Sequence, residues 1–232
     1  MKVIILAGGF GTRLRPLTFC IPKPLIPIGE KPILEIILEK FKKAGLKEIF
    51  LCVGYKSEII ESYFGDGKKF CVNITYVKEK ERLGTGGPIR LVEKYLKKED
   101  KSVLVMNGDI LTKLNFRDII KFHNKNKASM TVGSVIKEIN VKYGILDIKN
   151  NVVLGLKEKP SFKFNASAGI YMINKDVIKL IPKNKFFDIT DLMLKCIKLH
   201  KKVMAYPIKE SWLAIDRIND LNQALKNVDK DI

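Results

Sequence analysis

In this 232-residue chain the residues best placed to do chemistry are a glycine-rich loop, a few cations and a few carboxylates. The apolar run KVIILA brings Leu6 and Ala7 to a turn containing Gly8, Gly9 and Gly11. Glycines at this spacing either make a tight turn or let backbone N–H groups approach a phosphate closely. Thr12 adds a hydroxyl, Arg13 a planar cation and Lys23 a point charge. Pro22 and Pro24 flank Lys23 and restrict where its side chain can point. No GK[ST] follows, so the loop is not a Walker A; the third glycine of a dinucleotide fingerprint is also missing. Asp109 ends the buried-looking run SVLVMNGD, after Asn107 and Gly108. A carboxylate there caps a turn or binds Mg²⁺, which takes one or two carboxylates together with phosphate oxygens.

Other chemistries have little to draw on. The two histidines, His123 and His200, stand apart in Lys-rich stretches. The four cysteines show no CxxC spacing, which argues against zinc and against a disulfide framework. Cys52, inside IFLCV, reads as a small core residue. The formal charge of +18 invites a nucleic-acid reading, but the basic excess runs through the whole chain and only six of its 43 basic residues are arginine. Small polyanions are the better partners; neither nucleic acid nor membrane is expected. No apolar run approaches the roughly 20 residues of a membrane span, and the N-terminus does not read as a signal peptide, so a cytoplasmic protein is expected.

The elements that must position these groups follow from hydrophobic period. Apolar runs at 2–7, 48–53, 73–77 and 102–107 alternate with helical patterns at 33–44, 56–64, 86–97 and 116–126. This predicts βαβ units in a mostly parallel sheet buried on both faces, an α/β Rossmann-like fold. Residues 129–174 carry further strand-like runs, with Asn150-Asn151 as a hairpin turn, and helices return at 190–200 and 218–228. One domain is expected, with a nucleotide-type half over about 1–127 and a mixed-strand half over 128–232. Five of the nine prolines fall between 16 and 32, predicting about twenty residues of extended loop without helix.

LAGGFGTRLRPLT followed by PKPLIPIGEKPILE resembles the signature of sugar-1-phosphate nucleotidyltransferases. The likeness continues through GTGGPIR, VMNGDILT, EKP, AGIY, DITDLM and Trp212, in order, from about residue 3 to 225. It looks closest to bacterial enzymes acting on mannose-, heptose- or amino-sugar 1-phosphates. The resemblance implies a GT-A-like fold and transfer of a nucleotidyl group from an NTP to a sugar 1-phosphate with Mg²⁺. It implies that the backbone at Leu6, Ala7, Gly8, Gly9, Gly11 and Thr12 cradles the nucleotide, and that Arg13 and Lys23 balance its phosphates. Glu79, Gly84 and Thr85 would meet the base; a carboxylate at Glu79 suits guanine N–H donors and modestly favours GTP, unless it is simply solvated. Asn107, Gly108, Gly144, Glu158, Lys159, Ser167 and Gly169 would hold the sugar phosphate, with Gly144 and Gly169 leaving room for its ring. Arg13, Lys23 and Asp109 are the catalytic candidates. The resemblance leaves homo-oligomer formation open.

Two positions depart from the family pattern. Ala214 stands where the family places an aspartate as second metal ligand, and Ser167 stands where it usually shows asparagine. Asp216 lies two residues on and is the candidate substitute ligand, at the cost of an offset of about 6–7 Å if the segment stays extended. The departure leaves an impaired, binding-only chain as the alternative, and it predicts a gain of activity on restoring Asp at 214.

Overall fold

The computed structural model describes residues 1–79 and 81–226. The strands are β1 (Lys2–Ala7), β2 (Pro27–Ile28), β3 (Lys31–Pro32), β4 (Glu48–Val53), β5 (Asn73–Lys78), β6 (Ser102–Asn107), β7 (Ile110–Thr112), β8 (Met130–Asn140), β9 (Ile145–Lys149), β10 (Val152–Lys157), β11 (Ser161–Asn174), β12 (Val203–Pro207) and β13 (Trp212–Ala214). The helices are α1 (Leu17–Cys20), α2 (Ile33–Lys43), α3 (Ser57–Phe64), α4 (Gly87–Val92), α5 (Phe116–Lys125), α6 (Lys175–Ile178), α7 (Ile189–Lys198) and α8 (Ile218–Lys226). The end of the predicted 218–228 helix lies outside the described residues.

Seven strands form one sheet in the order β12-β8-β11-β6-β1-β4-β5, drawing on the chain before and after residue 127. β1 pairs parallel with β4 and β6, β4 with β5, and β12 with β8; only β11 runs antiparallel to its neighbours β6 and β8. The continuous apolar runs have a direct cause. Val3, Ile5 and Ala7 face one core with α2, α3, α5 and α8, while Ile4 faces a second core with α4, α6 and α7. β4 divides the same way, with Ile49, Leu51 and Val53 on one side and Phe50 and Cys52 on the other. Each central strand therefore needs apolar side chains at every position. Burial pushes the Cys52 thiol pKa well above its usual range, in keeping with an inert core residue.

The proline-rich segment is a correction to the expected extended loop. It forms 3₁₀ turns at Thr12–Leu14 and Lys23–Leu25, the single-turn helix α1 and the β2–β3 hairpin. Each turn is too short to need the N–H that proline lacks, and Pro16 and Pro24 sit at or next to turn starts, where a missing donor costs nothing. Asn150 and Asn151 do make the hairpin turn, both with positive φ (48° and 65°), as a two-residue turn between β9 and β10 requires.

His123 is buried in α5 rather than solvated with the lysines around it. Asn174 Nδ2 donates to the Ala128 carbonyl (3.0 Å), so its Oδ1 accepts from His123 Nε2 (2.9 Å), leaving Nδ1 to accept from the Thr131 hydroxyl (2.8 Å). Burial lowers the imidazole pKa, against a smaller opposing effect of Asn174. A folded-state pKa below the unfolded value near 6.5 means that the neutral ring's contribution is complete above that pH and is lost as acid protonates the unfolded chain first. Urea midpoints measured from pH 7.5 down to 5 should therefore fall more steeply for the wild type than for His123→Gln.

Candidate active site

The C-terminal ends of β1, β4 and β6 open into a cleft of about 600 Å³. This is where parallel strands hand over to their connecting loops, and where open α/β sheets place ligands. Leu6, Ala7, Gly8, Gly9, Gly11, Thr12, Arg13, Lys23, Glu79, Gly84, Thr85, Asn107, Gly108, Asp109 and Asp216 all line it. Gly11 (φ 62°) could not carry a side chain, because a Cβ would lie 2.7 Å from Thr18 Cγ2. The Thr18 hydroxyl donates to the Gly11 carbonyl (2.8 Å), which locks the turn.

The cations and carboxylates meet at one end. Lys23 Nζ lies 2.5 Å from Asp109 Oδ2 and 3.5 Å from Asp216 Oδ1, and Arg13 pairs with Asp216 Oδ2. The Lys23 side chain is 13% exposed, against 63% for Arg13. The Arg13 pair is thus the more solvent-screened of the two. The offset expected for Asp216 is corrected here. β13 stops at Ala214, buried Ile215 donates its N–H to the Asp109 carbonyl (2.9 Å), and the chain then turns Asp216 into the cleft. Ala214 itself pairs with Ile110 across the β7–β13 ladder and packs against the core. Two hard oxygen donors at the rim of a glycine loop fit a divalent cation of the Mg²⁺ type, with phosphate and water filling the remaining positions. No group of three or more potential ligand side chains occurs among the described residues, so the protein would supply only these two carboxylates.

Glu79 is half-buried rather than a freely solvated surface residue. Its Oε2 accepts from the Leu83 N–H (2.9 Å), and its Oε1 fills the space that a Gly8 side chain would take. Burial raises its pKa, opposed by the Leu83 N–H and by Arg82. Gly84 (φ 75°) is pressed against Phe187 and Asp188.

Asp188 was not singled out from the sequence, although it opens DITDLM. Its Oδ1 accepts from the Thr85 N–H (2.9 Å) and hydroxyl (3.0 Å), and it also forms a capping box with Asp191 at the start of α7. The signal was there as Asp-x-x-Asp ahead of an apolar helix. Its reach to Thr85 was not, since 103 residues separate the two. Phe10, Gly54 and Tyr55 also line the cleft without a sequence signal of their own.

The sugar-phosphate set divides. Asn107 and Gly108 line the cleft, whereas Gly144, Glu158, Lys159, Ser167 and Gly169 are not among its lining residues. The expected room at two glycines is a second correction. A Cβ on Gly169 would lie 2.6 Å from Ile110 Cδ1 and 2.7 Å from Asn107 Nδ2, and one on Gly144 would meet Leu156 and Glu158. These glycines let protein segments approach each other. Ser167 is engaged with the Tyr171 hydroxyl (3.0 Å), and Glu158 and Lys159 are exposed where β10 leads to β11.

The family model described as nucleotidyl transferase matches residues 2–231. The chain belongs to that family. It is 41% identical over 186 residues to a mannose-1-phosphate guanyltransferase of Yarrowia lipolytica, covering 78% of this chain and 51% of that protein. It is 33% identical over 245 residues to a UTP–glucose-1-phosphate uridylyltransferase of Synechocystis, covering 98% of this chain and 63% of that one. The chain therefore spans between about half and two thirds of the length of such relatives. Among solved structures, HddC from Yersinia pseudotuberculosis complexed with GMP-PN aligns with a TM-score of 0.76 at 28% identity, covering 97% of this chain and 98% of that one. The mixed, mostly parallel sheet with helices on both faces is the fold of these nucleotidyltransferases. No helix among the described residues is long and apolar enough to cross a membrane.

Asp188→Ala removes a helix cap and both bonds to Thr85. It should lower stability by about 1–2 kcal/mol in urea unfolding, as loss of such caps does.

Proposed function

We propose that this family member transfers a nucleoside monophosphate from an NTP, with GTP favoured, to a sugar 1-phosphate in the cytoplasm, releasing pyrophosphate. The observation that carries the proposal is the meeting of Arg13, Lys23, Asp109 and Asp216 at the rim of the glycine loop. A sugar-phosphate oxygen attacks the α-phosphorus; a new P–O bond forms and the bond to the bridging oxygen of the β-phosphate breaks. No covalent nucleophile is needed, so catalysis rests on positioning and on charge neutralisation. The backbone of Gly8, Gly9 and Gly11 approaches the phosphates, and Arg13 and Lys23 offset charge there. Mg²⁺, held by Asp109 and Asp216, would supply a Lewis acid to the phosphate oxygens. Asn107 and Gly108 border the sugar phosphate. Glu79 supports the guanine preference, because a half-buried carboxylate beside Gly8 can accept from guanine N1–H and N2–H₂. The named activity of the Yarrowia relative and the GMP-PN bound to HddC favour the same base; the Synechocystis name keeps uracil as the competing choice.

Pyrophosphate release from each NTP crossed with a panel of sugar 1-phosphates tests the reading; no release from any pair, with nucleotide still binding, would leave a binding protein instead. Lys23→Ala should lower kcat by roughly 10²-fold with a smaller change in KM, as loss of a transition-state contact does. Asp216→Ala should lose at least about tenfold. Ala214→Asp should raise activity at limiting Mg²⁺, as the family pattern implies; equal turnover by both forms would show that Asp216 already serves as the second ligand. Glu79→Gln should narrow the ratio of kcat/KM for GTP over UTP, since an amide offers one acceptor oxygen where the carboxylate offers two.

A further inference from the structure

The loop expected to meet the base is held from a distant part of the chain. Phe187 donates its N–H to the Leu83 carbonyl (3.0 Å), and the Phe187 carbonyl accepts from the Gly86 and Gly87 N–H groups (2.8 and 3.2 Å). A Cβ on Gly84 would lie 2.8 Å from the Phe187 carbonyl oxygen and 2.8 Å from Asp188 Oδ1. Thr85 is bound most completely. Its N–H and its hydroxyl both donate to Asp188 Oδ1 (2.9 and 3.0 Å), and the hydroxyl oxygen accepts from the Ile189 N–H (2.9 Å). A hydroxyl has one proton to give, and here Asp188 takes it.

We propose that Asp188 is a positioning residue for nucleobase discrimination, acting through Thr85 to hold the backbone of residues 83–87 in place. This role rests on the nucleotide-transfer function proposed above, with Gly84 and Thr85 against the base. Capping α7 does not by itself call for the bonds to Thr85. The box with Asp191 is complete within the helix: the Asp188 side chain accepts from the Asp191 N–H, and Asp191 Oδ2 accepts from the Asp188 N–H (3.0 Å). The two bonds from Thr85 are additional to that cap and tie α7 to the cleft, which Gly84, Thr85 and Asp188 all line. The loop needs such a tie, because the glycines on either side of Thr85 leave it little stiffness of its own. With the Thr85 proton spent on Asp188, the loop faces a base chiefly with its backbone. Backbone groups tell one base edge from another only while they are held still, since discrimination comes from donors and acceptors that the wrong base leaves unpaired. A loop released from Asp188 can shift to suit a second base, and the choice between bases blurs.

Calorimetric titration of the whole chain with GTP, UTP, ATP and CTP in the presence of Mg²⁺ tests this role without requiring turnover. The wild type should prefer one NTP, and Asp188→Ala should narrow the ratio of Kd between that NTP and its nearest competitor at least about threefold, within the coupling expected of residues in contact. Thr85→Val, which leaves the Asp188–Asp191 box whole, should narrow the ratio in the same direction, and the double variant should narrow it by less than the product of the two. Asp191→Ala breaks the other half of the box but leaves the bonds to Thr85; it should lower the melting temperature and keep the ratio. An unchanged ratio in Asp188→Ala or Thr85→Val, an equal narrowing in Asp191→Ala, full additivity in the double variant, or a wild type that binds all the NTPs alike would each overturn the role of Asp188. Selective binding that depends on Asp188, with no pyrophosphate released from any substrate pair, would instead overturn the transfer reaction alone.

Discussion

Burial of the central strands on both faces is the constraint on which everything else rests. β1, β4 and β6 have no polar face, so the chain must cover both sides with helices, and each crossover returns the next strand in parallel. Parallel strands end together, which gathers their following loops at one edge of the sheet. The glycine loop after β1, Glu79 after β5 and Asn107-Gly108-Asp109 at the end of β6 meet there for that reason. The cleft is a consequence of how the core is covered.

Charge follows from this geometry too. Of a large lysine excess, only Lys23 among the described residues touches two carboxylates, one from the middle of the chain and one from near its C-terminal end. Pro22 and Pro24 hold its backbone, β6 delivers Asp109, and the β7–β13 ladder brings Asp216 alongside. The same ladder has Lys113 at its other end, in a smaller cavity lined also by Lys40, Lys43 and Arg117. One short two-stranded sheet thus separates two concentrations of charge, one balanced by acids and one without them among the described residues.

Much of this was legible beforehand. The strand runs, the Asn150-Asn151 turn and the helices at 33–43 and 116–125 are local in origin, set by hydrophobic period and turn chemistry. The glycine loop was legible because it directly follows a strand. The reading failed where long-range packing decides. Prolines in the loop allowed single helical turns, since a turn of three or four residues needs no interior donor. Gly144 and Gly169 looked like open space and are sites of close approach. Asp216 looked misplaced because its segment was taken as extended, and the strand in fact ends two residues earlier.

By itself, then, the sequence determined the layered α/β architecture and the residue types at the strand tips, because both depend on neighbours within a few positions. Tertiary structure alone decided which carboxylate joins Asp109, that Asp188 supports Thr85, and that Glu158 and Lys159 stay outside the cleft. Those outcomes depend on pairs about a hundred residues apart and on the exact ends of strands, and side chains so far apart in the chain are brought together only when the two-sided core forms.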